Sequence, residues 1–180
     1  MTRDRFPWNL NPAKARAEVD ALGHDPKTIA DLNQLPYVEC CILETPRLQL
    51  PSLFLFNECI ADTSVDGHRI PRGTVDAVLL HKAMVAESQG GTTFRPERWF
   101  IRDSSAIDQA RVRDHLAFGA GPRQCPGQNM ALREATIILA LILRHFDDIK
   151  VNHSPNGVRG KAAFTYWPEN LELRMYQRFF

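Results

Sequence analysis

No apolar run in this sequence is long enough to cross a bilayer. The most apolar stretch, residues 135–143, falls far short of the roughly 18 residues a span needs, and Arg133 and Arg144 flank it. It reads as a buried helix. The opening MTRDRFPWNL lacks the continuous apolar segment of a secretory signal, so the expected location is the cytoplasm or the cytoplasmic face of a membrane. An excess of one charge is also missing: 22 Lys and Arg against 21 Asp and Glu leave +1, too little to neutralise phosphates. Nucleic acid is therefore not an expected partner. Four cysteines are too few for a disulfide scaffold, and Cys40, Cys41, Cys59 and Cys125 have no paired CxxC spacing for structural zinc. No two of the six histidines stand at i, i+4, so none is assigned to a metal. Repeats and low-complexity tracts are absent, which argues for consecutive elements of one fold.

What is present is the composition of one globular domain: 180 residues, 44% hydrophobic and 24% charged. Residues 1–9 fit no element and are set apart as an unassigned leader. Asn11 followed by Pro12 predicts a capped helix that stops at Gly23. Leu35 and Pro36 open a second helix that is expected to reach Glu44 before Pro46 and Pro51 interrupt it. Residues 58–81 alternate around DGHRIPRG and predict two short strands. Residues 82–115 have no sustained period and read as irregular loop. After AFGAGPRQCPG comes QNMALREATIILALILRHF, a helix apolar on nearly every side and so expected to be enclosed by protein. The tail has a turn signal at Asn156 and Gly157 and short alternating stretches, which predict strands. The fold class is mainly α with two small antiparallel sheets.

The cysteine-bearing loop draws the most attention. A thiolate persists at neutral pH where positive potential is supplied, and Cys125 stands just before a helix, whose first N–H groups are unpaired. Gly119, Gly121 and Gly127 allow unusual backbone and close approach to a flat ligand, while Pro122 and Pro126 stiffen the loop. Arg123 offers a permanent cation to a ligand carboxylate, and Phe118 an aromatic cover for the sulfur. Cys40, Cys41 and Cys59 read as packed or idle thiols.

FGAGPRQCPG resembles the haem-binding loop of the cytochrome P450 family, FxxGxRxCxG, at every fixed position. Five such matches arise by chance on the order of once in ten thousand sequences of this length. ETPR, with Glu44 and Arg47, is similar to the family's ExxR, and FRPERW to its second arginine motif, with Arg98 as the third member of a buried network. Taken without the other motifs, ExxR reads as a solvated surface pair. Pro46 departs from the family's aliphatic residue inside ExxR, and KAMVAESQGG departs from its basic-Asp-Pro continuation.

The resemblance covers residues 10–180 and implies the incomplete carboxy-terminal portion of the family's domain, with more than half of that domain absent. It implies haem b (iron protoporphyrin IX) held through the thiolate of Cys125, with Phe118, Gly119, Gly121, Arg123 and Gly127 around it. It implies a substrate pocket lined by Leu53, Phe54, Phe164 and Tyr166. The implied activity is haem-thiolate monooxygenation of a lipophilic substrate with O2, its electrons coming from NAD(P)H through a flavin or iron–sulfur reductase. No catalytic residue is assigned within these 180 residues. One alternative is a truncated, non-catalytic remnant with its apolar helix uncovered; another is peroxygenase or rearrangement chemistry, which needs no reductase. Lys14, Arg16, Arg111 and Arg113 read as solvating cations in preference to a docking face for a redox partner.

Overall fold

The computed structural model describes residues 11–86, 90–152, 160–163 and 165–179. The leader, the Asn156–Gly157 turn and Phe164 lie outside the described residues. The first helix, α1 (Pro12–Leu22), follows the predicted signals: the Asn11 side chain accepts the Lys14 N–H at 3.1 Å, and Gly23 ends the helix at φ +75°. A one-turn helix, α2 (Ile29–Leu32), carries a reciprocal cap between Thr28 and Asp31.

Helix α3 (Pro36–Leu48) overturns one expectation, because it runs straight through Pro46. Proline takes away the N–H that Ile42 would accept and costs about 3 kcal/mol in a helix interior. Tertiary bonding outweighs that local preference: Leu43, Glu44 and Arg47, on either side of the proline, are all buried and engaged. The opposite end of α3 is capped from another element. Both Glu18 oxygens accept the Tyr37 N–H, at 2.9 and 2.8 Å, and one also accepts that of Val38. Burial raises the Glu18 carboxyl above its ordinary value even though these bonds pull it down.

Residues 54–79 form a nested pair of hairpins where two strands were expected. The outer strands, β1 (Phe54–Glu58) and β4 (Val75–Leu79), pair antiparallel, and the inner strands β2 (Thr63–Val65) and β3 (His68–Ile70) close on Asp66 and Gly67. Both turn residues have positive φ, +48° and +80°, the backbone a two-residue hairpin requires. The region read as irregular contains α4 (Leu80–Met84), a 3-10 turn over Pro96–Trp99, a bridge between Phe100 and Ile107, and α5 (Gln109–Arg113). These pieces are too short to impose a period on the sequence.

The last helix, α6 (Gln128–His145), leads into β5 (Phe146–Val151), which pairs antiparallel with β8 (Leu173–Gln177). Between them β6 (Gly160–Ala162) pairs with β7 (Tyr166–Pro168). The described residues thus hold four two-stranded ladders in place of the two sheets expected. Helix α6 buries Leu132, Thr136, Ala140 and Leu143 along one side. The main core joins Ala15 and Val19 of α1, Tyr37, Val38 and Cys41 of α3, and Ala140 and Leu143 of α6. Enclosure of α6 is incomplete, however: Ile138 is 51% exposed and Met130 70%, because α1 and α3 both pack on the other side. No helix among the described residues is long and apolar enough to cross a membrane.

Candidate functional site

Glu44 stands at the centre of a buried polar network. Its Oε1 accepts from Arg47 Nη2 at 3.0 Å, Arg98 Nε at 2.9 Å and the Arg95 backbone N–H at 2.9 Å. Its Oε2 accepts from Arg47 Nε and the Trp99 indole, both at 3.0 Å. Arg47 spends its remaining donors on the carbonyls of Met84, Gly91 and Thr93, so all five guanidinium N–H groups are used. Arg98 also donates to the Thr93 carbonyl, and burial pulls its pKa below the ordinary value against the attraction of Glu44. This is a different environment from the solvated surface pair that ExxR alone allows.

The unusual sequence before the second arginine motif is absorbed here. Gly90 and Gly91 both have positive φ, +84° and +60°, and the chain passes so close to Arg98 that a Cβ on Gly90 would lie 2.5 Å from its Nη1. Gly90→Ala is therefore expected to destabilise the protein by about 1–3 kcal/mol, combining left-handed strain with displacement of a buried guanidinium. Thermal unfolding of the variant beside Gly73→Ala, where a Cβ meets nothing within 4 Å, separates the two contributions.

Trp99 connects this network to the cysteine loop. His115, 1% exposed, meets Trp99 edge to face with ring centroids 4.9 Å apart, and Phe118 lies 6.4 Å from His115 on its other contact. After a 3-10 turn over Leu116–Phe118, Gly119 and Gly121 take φ +75° and +68°, and a second turn covers Gly121–Arg123. The Cys125 N–H donates to the Phe118 carbonyl at 2.9 Å, and the Cys125 carbonyl accepts the first helical N–H, that of Gln128. The loop is thereby folded back upon itself with Cys125 exposed at the start of α6. Gly127 lies beside the sulfur, where a Cβ would meet Sγ at 3.8 Å, an ordinary contact.

The four cysteines separate by environment. Cys40 and Cys41 are buried, and burial pushes the Cys41 thiol up to about 12 and Cys40 higher still. Neither ionises near neutrality. Cys125 is the exposed thiol, and among the described residues no group of three His, Cys, Asp or Glu side chains is placed to hold a bare metal ion. A single soft sulfur donor on an open loop suits a metal whose other positions are filled by a macrocycle. Phe118, Gly119, Gly121, Arg123 and Gly127 all lie within that loop, with Phe118 and Gly127 half-buried, Gly119 buried and Arg123 exposed.

Of the residues named for a substrate pocket, the three described ones, Leu53, Phe54 and Tyr166, fall on two neighbouring segments. Leu53 is half-buried just before β1 and Phe54 begins it, 42% exposed and stacked on Phe56. Tyr166 begins β7, where its N–H donates to the Pro51 carbonyl at 2.7 Å. Leu55 packs against Leu50, Leu80 and Met84 together with Leu116 and Ala117, so this sheet adjoins the base of the cysteine loop.

The family model for cytochrome P450 matches residues 12–164. The chain belongs to the cytochrome P450 family. It is 37% identical over 133 residues to cytochrome P450 4V2 of Mus musculus, covering 72% of this chain and 24% of that protein. It is 34% identical over 171 residues to 2-hydroxyisoflavanone synthase of Glycyrrhiza uralensis, covering 89% and 32%. Among solved structures, the crystal structure of a cytochrome P450, CYP102L1, superposes with a TM-score of 0.77 at 26% identity, over 96% of this chain and 40% of that one. The chain thus spans a quarter to a third of the length of these curated relatives.

Sequence reasoning missed three residues that shape this P450 site. Glu18 caps α3 from a distance of nineteen positions, and no local pattern announces it. Trp99 was visible in FRPERW, but its indole bond to Glu44 depends on tertiary placement. His115, three residues ahead of Phe118, had no metal-like spacing and was passed over. The suggested cations are largely occupied: Arg16 donates to the Leu143 and Phe146 carbonyls and pairs with Asp147 at 2.7 Å. Lys14 lies 4.2 Å from the Tyr37 ring centre, and Arg111 pairs with Asp108.

Proposed function

We propose that residues 10–180 form the haem-binding part of a haem-thiolate monooxygenase that inserts one oxygen atom of O2 into a lipophilic substrate. The observation that carries this reading is the exposed Cys125 thiol on a glycine-shaped loop at the start of α6, backed by the buried Glu44 network. Cys125 would hold haem b through its thiolate, with Gly119, Gly121 and Gly127 permitting close approach and Phe118 shielding the sulfur. Arg123 would supply a cation for a carboxylate of the group. When bound, the haem supplies oxygen activation, and a thiolate ligand favours O–O cleavage.

The chain's own contribution is positional. The Glu44, Arg47 and Arg98 network holds α3 against the Pro96–Trp99 turn, and Trp99 and His115 carry that support to the loop. Leu53, Phe54, Phe164 and Tyr166 would contribute an apolar wall that excludes water and orients the substrate. Electrons would come from NAD(P)H through a flavin or iron–sulfur reductase, and the expected location remains the cytoplasm or the cytoplasmic face of a membrane.

The test is spectroscopic. Haem-loaded protein, reduced under carbon monoxide, is expected to show the Soret position of thiolate-ligated iron, and Cys125→Ala to abolish it. Because Cys125 is exposed and its side chain makes no internal bond among the described residues, the same change is expected to leave the far-UV circular dichroism of haem-free protein unaltered. Absence of the thiolate band in the unaltered protein would favour the truncated, non-catalytic reading. A band that supports oxygen insertion with peroxide alone would favour a peroxygenase.

A further inference from the structure

His115 is 1% exposed, and neither Nδ1 nor Nε2 makes a well-formed hydrogen bond among the described residues, the Leu43 backbone being the polar group that bears on the ring without closing such a bond. A neutral imidazole offers one donor and one acceptor, and leaving both unmet in the interior is costly. The His115 ring touches Trp99, which donates to Glu44, and Phe118, whose carbonyl holds the Cys125 N–H. Glu44, Trp99, His115, Phe118 and Cys125 therefore form one series of contacts from the buried charge network to the backbone of the cysteine that carries the exposed thiol.

We propose that His115 is a positioning residue for Cys125, its ring acting as a wedge between Trp99 and Phe118 that fixes where the cysteine loop sits. The proposal rests on the haem-thiolate reading above. The effect belongs to the flat ring, which fills the space between Trp99 and Phe118, and not to the ring nitrogens. The neutral form is the one the site holds, since burial favours it. Loss of the ring would leave a cavity at the loop's base, which lets the loop sag and the sulfur leave its place without releasing the whole fold.

The experiment uses the haem-loaded, full-length protein and follows the carbon monoxide complex with time. His115→Ala is expected to convert from thiolate-ligated to thiol- or nitrogen-ligated iron about tenfold faster than the unaltered protein, the factor that about 1.4 kcal/mol represents. His115→Phe, which keeps the ring, is expected to convert at the original rate. Should His115→Ala fail to fold, His115→Leu is read in its place, with the same acceleration expected. An unchanged rate in the ring-less variant, or an equally fast loss in His115→Phe, overturns the proposal. Cys125→Ala run alongside keeps the two questions apart: a thiolate band surviving that change defeats the haem-thiolate reading itself, whatever His115 does.

Discussion

Glu44→Ala is expected to cost about 3–5 kcal/mol, the largest effect of any single change considered for this chain. The side chains it strands are almost wholly buried, 2% exposed for Arg47 and 6% for Arg98, and Glu44 is the acid within ion-pair distance of both. The Trp99 indole and the Arg95 amide lose their acceptor as well. A domain is stable by only about 5–15 kcal/mol, so this loss moves a urea midpoint by a large fraction of its value or leaves the protein unfolded. Asp62→Asn is the control. Asp62 pairs with Arg69 at 2.7 Å, shorter than any bond that Glu44 itself accepts, yet both side chains are mostly in water. Its removal is expected to leave the midpoint in place. Equal shifts in the two variants would show that distance, and not burial, sets the strength here.

Acid is expected to weaken the fold through His115, by about 2 kcal/mol between pH 7 and pH 5. Burial pushes this imidazole from its ordinary 6.5 down to about 4; Arg47 adds to the effect, while Glu44 and the Leu43 backbone oppose it. Between those two values the unfolded chain takes up a proton that the folded protein refuses. Stability is therefore fully present above pH 6.5 and drains away as pH falls towards 4. Glu18 and Glu39 act in the other direction, because burial raises both carboxyls and lets the folded protein hold their protons more readily. The His115 contribution is isolated by comparing urea midpoints of the unaltered protein and His115→Phe at both pH values. The difference between them is expected to grow as the solution is acidified. Parallel curves would mean that the ring is not held neutral by the fold.

Local signals and tertiary signals fared differently in this chain. Helix α1 was legible because its start and stop are each made by residues in contact with it: Asn11 at one end and Gly23 at the other. The cysteine loop was legible for a related reason, since its glycines and its sulfur act within ten consecutive positions. Helix α3 was misjudged at Pro46. The preference of a proline is a local energy, whereas the bonds of Arg47 reach carbonyls at Met84, Gly91 and Thr93, which no short window contains. The strands of residues 54–79 were undercounted because each inner strand is three residues long, too few to show alternation.

By itself the amino-acid order determined the family, the candidate sulfur and the three members of the charge network, since each is a fixed spacing of chemically particular residues. Only the folded chain decided that Glu44 and its arginines are buried, that Glu18 caps α3, that Gly90 lies against the Arg98 guanidinium, and that His115 lies between the network and the loop. Burial and partnership are properties of packing: they arise when segments dozens of positions apart come into contact, and no single segment encodes the neighbours it will meet.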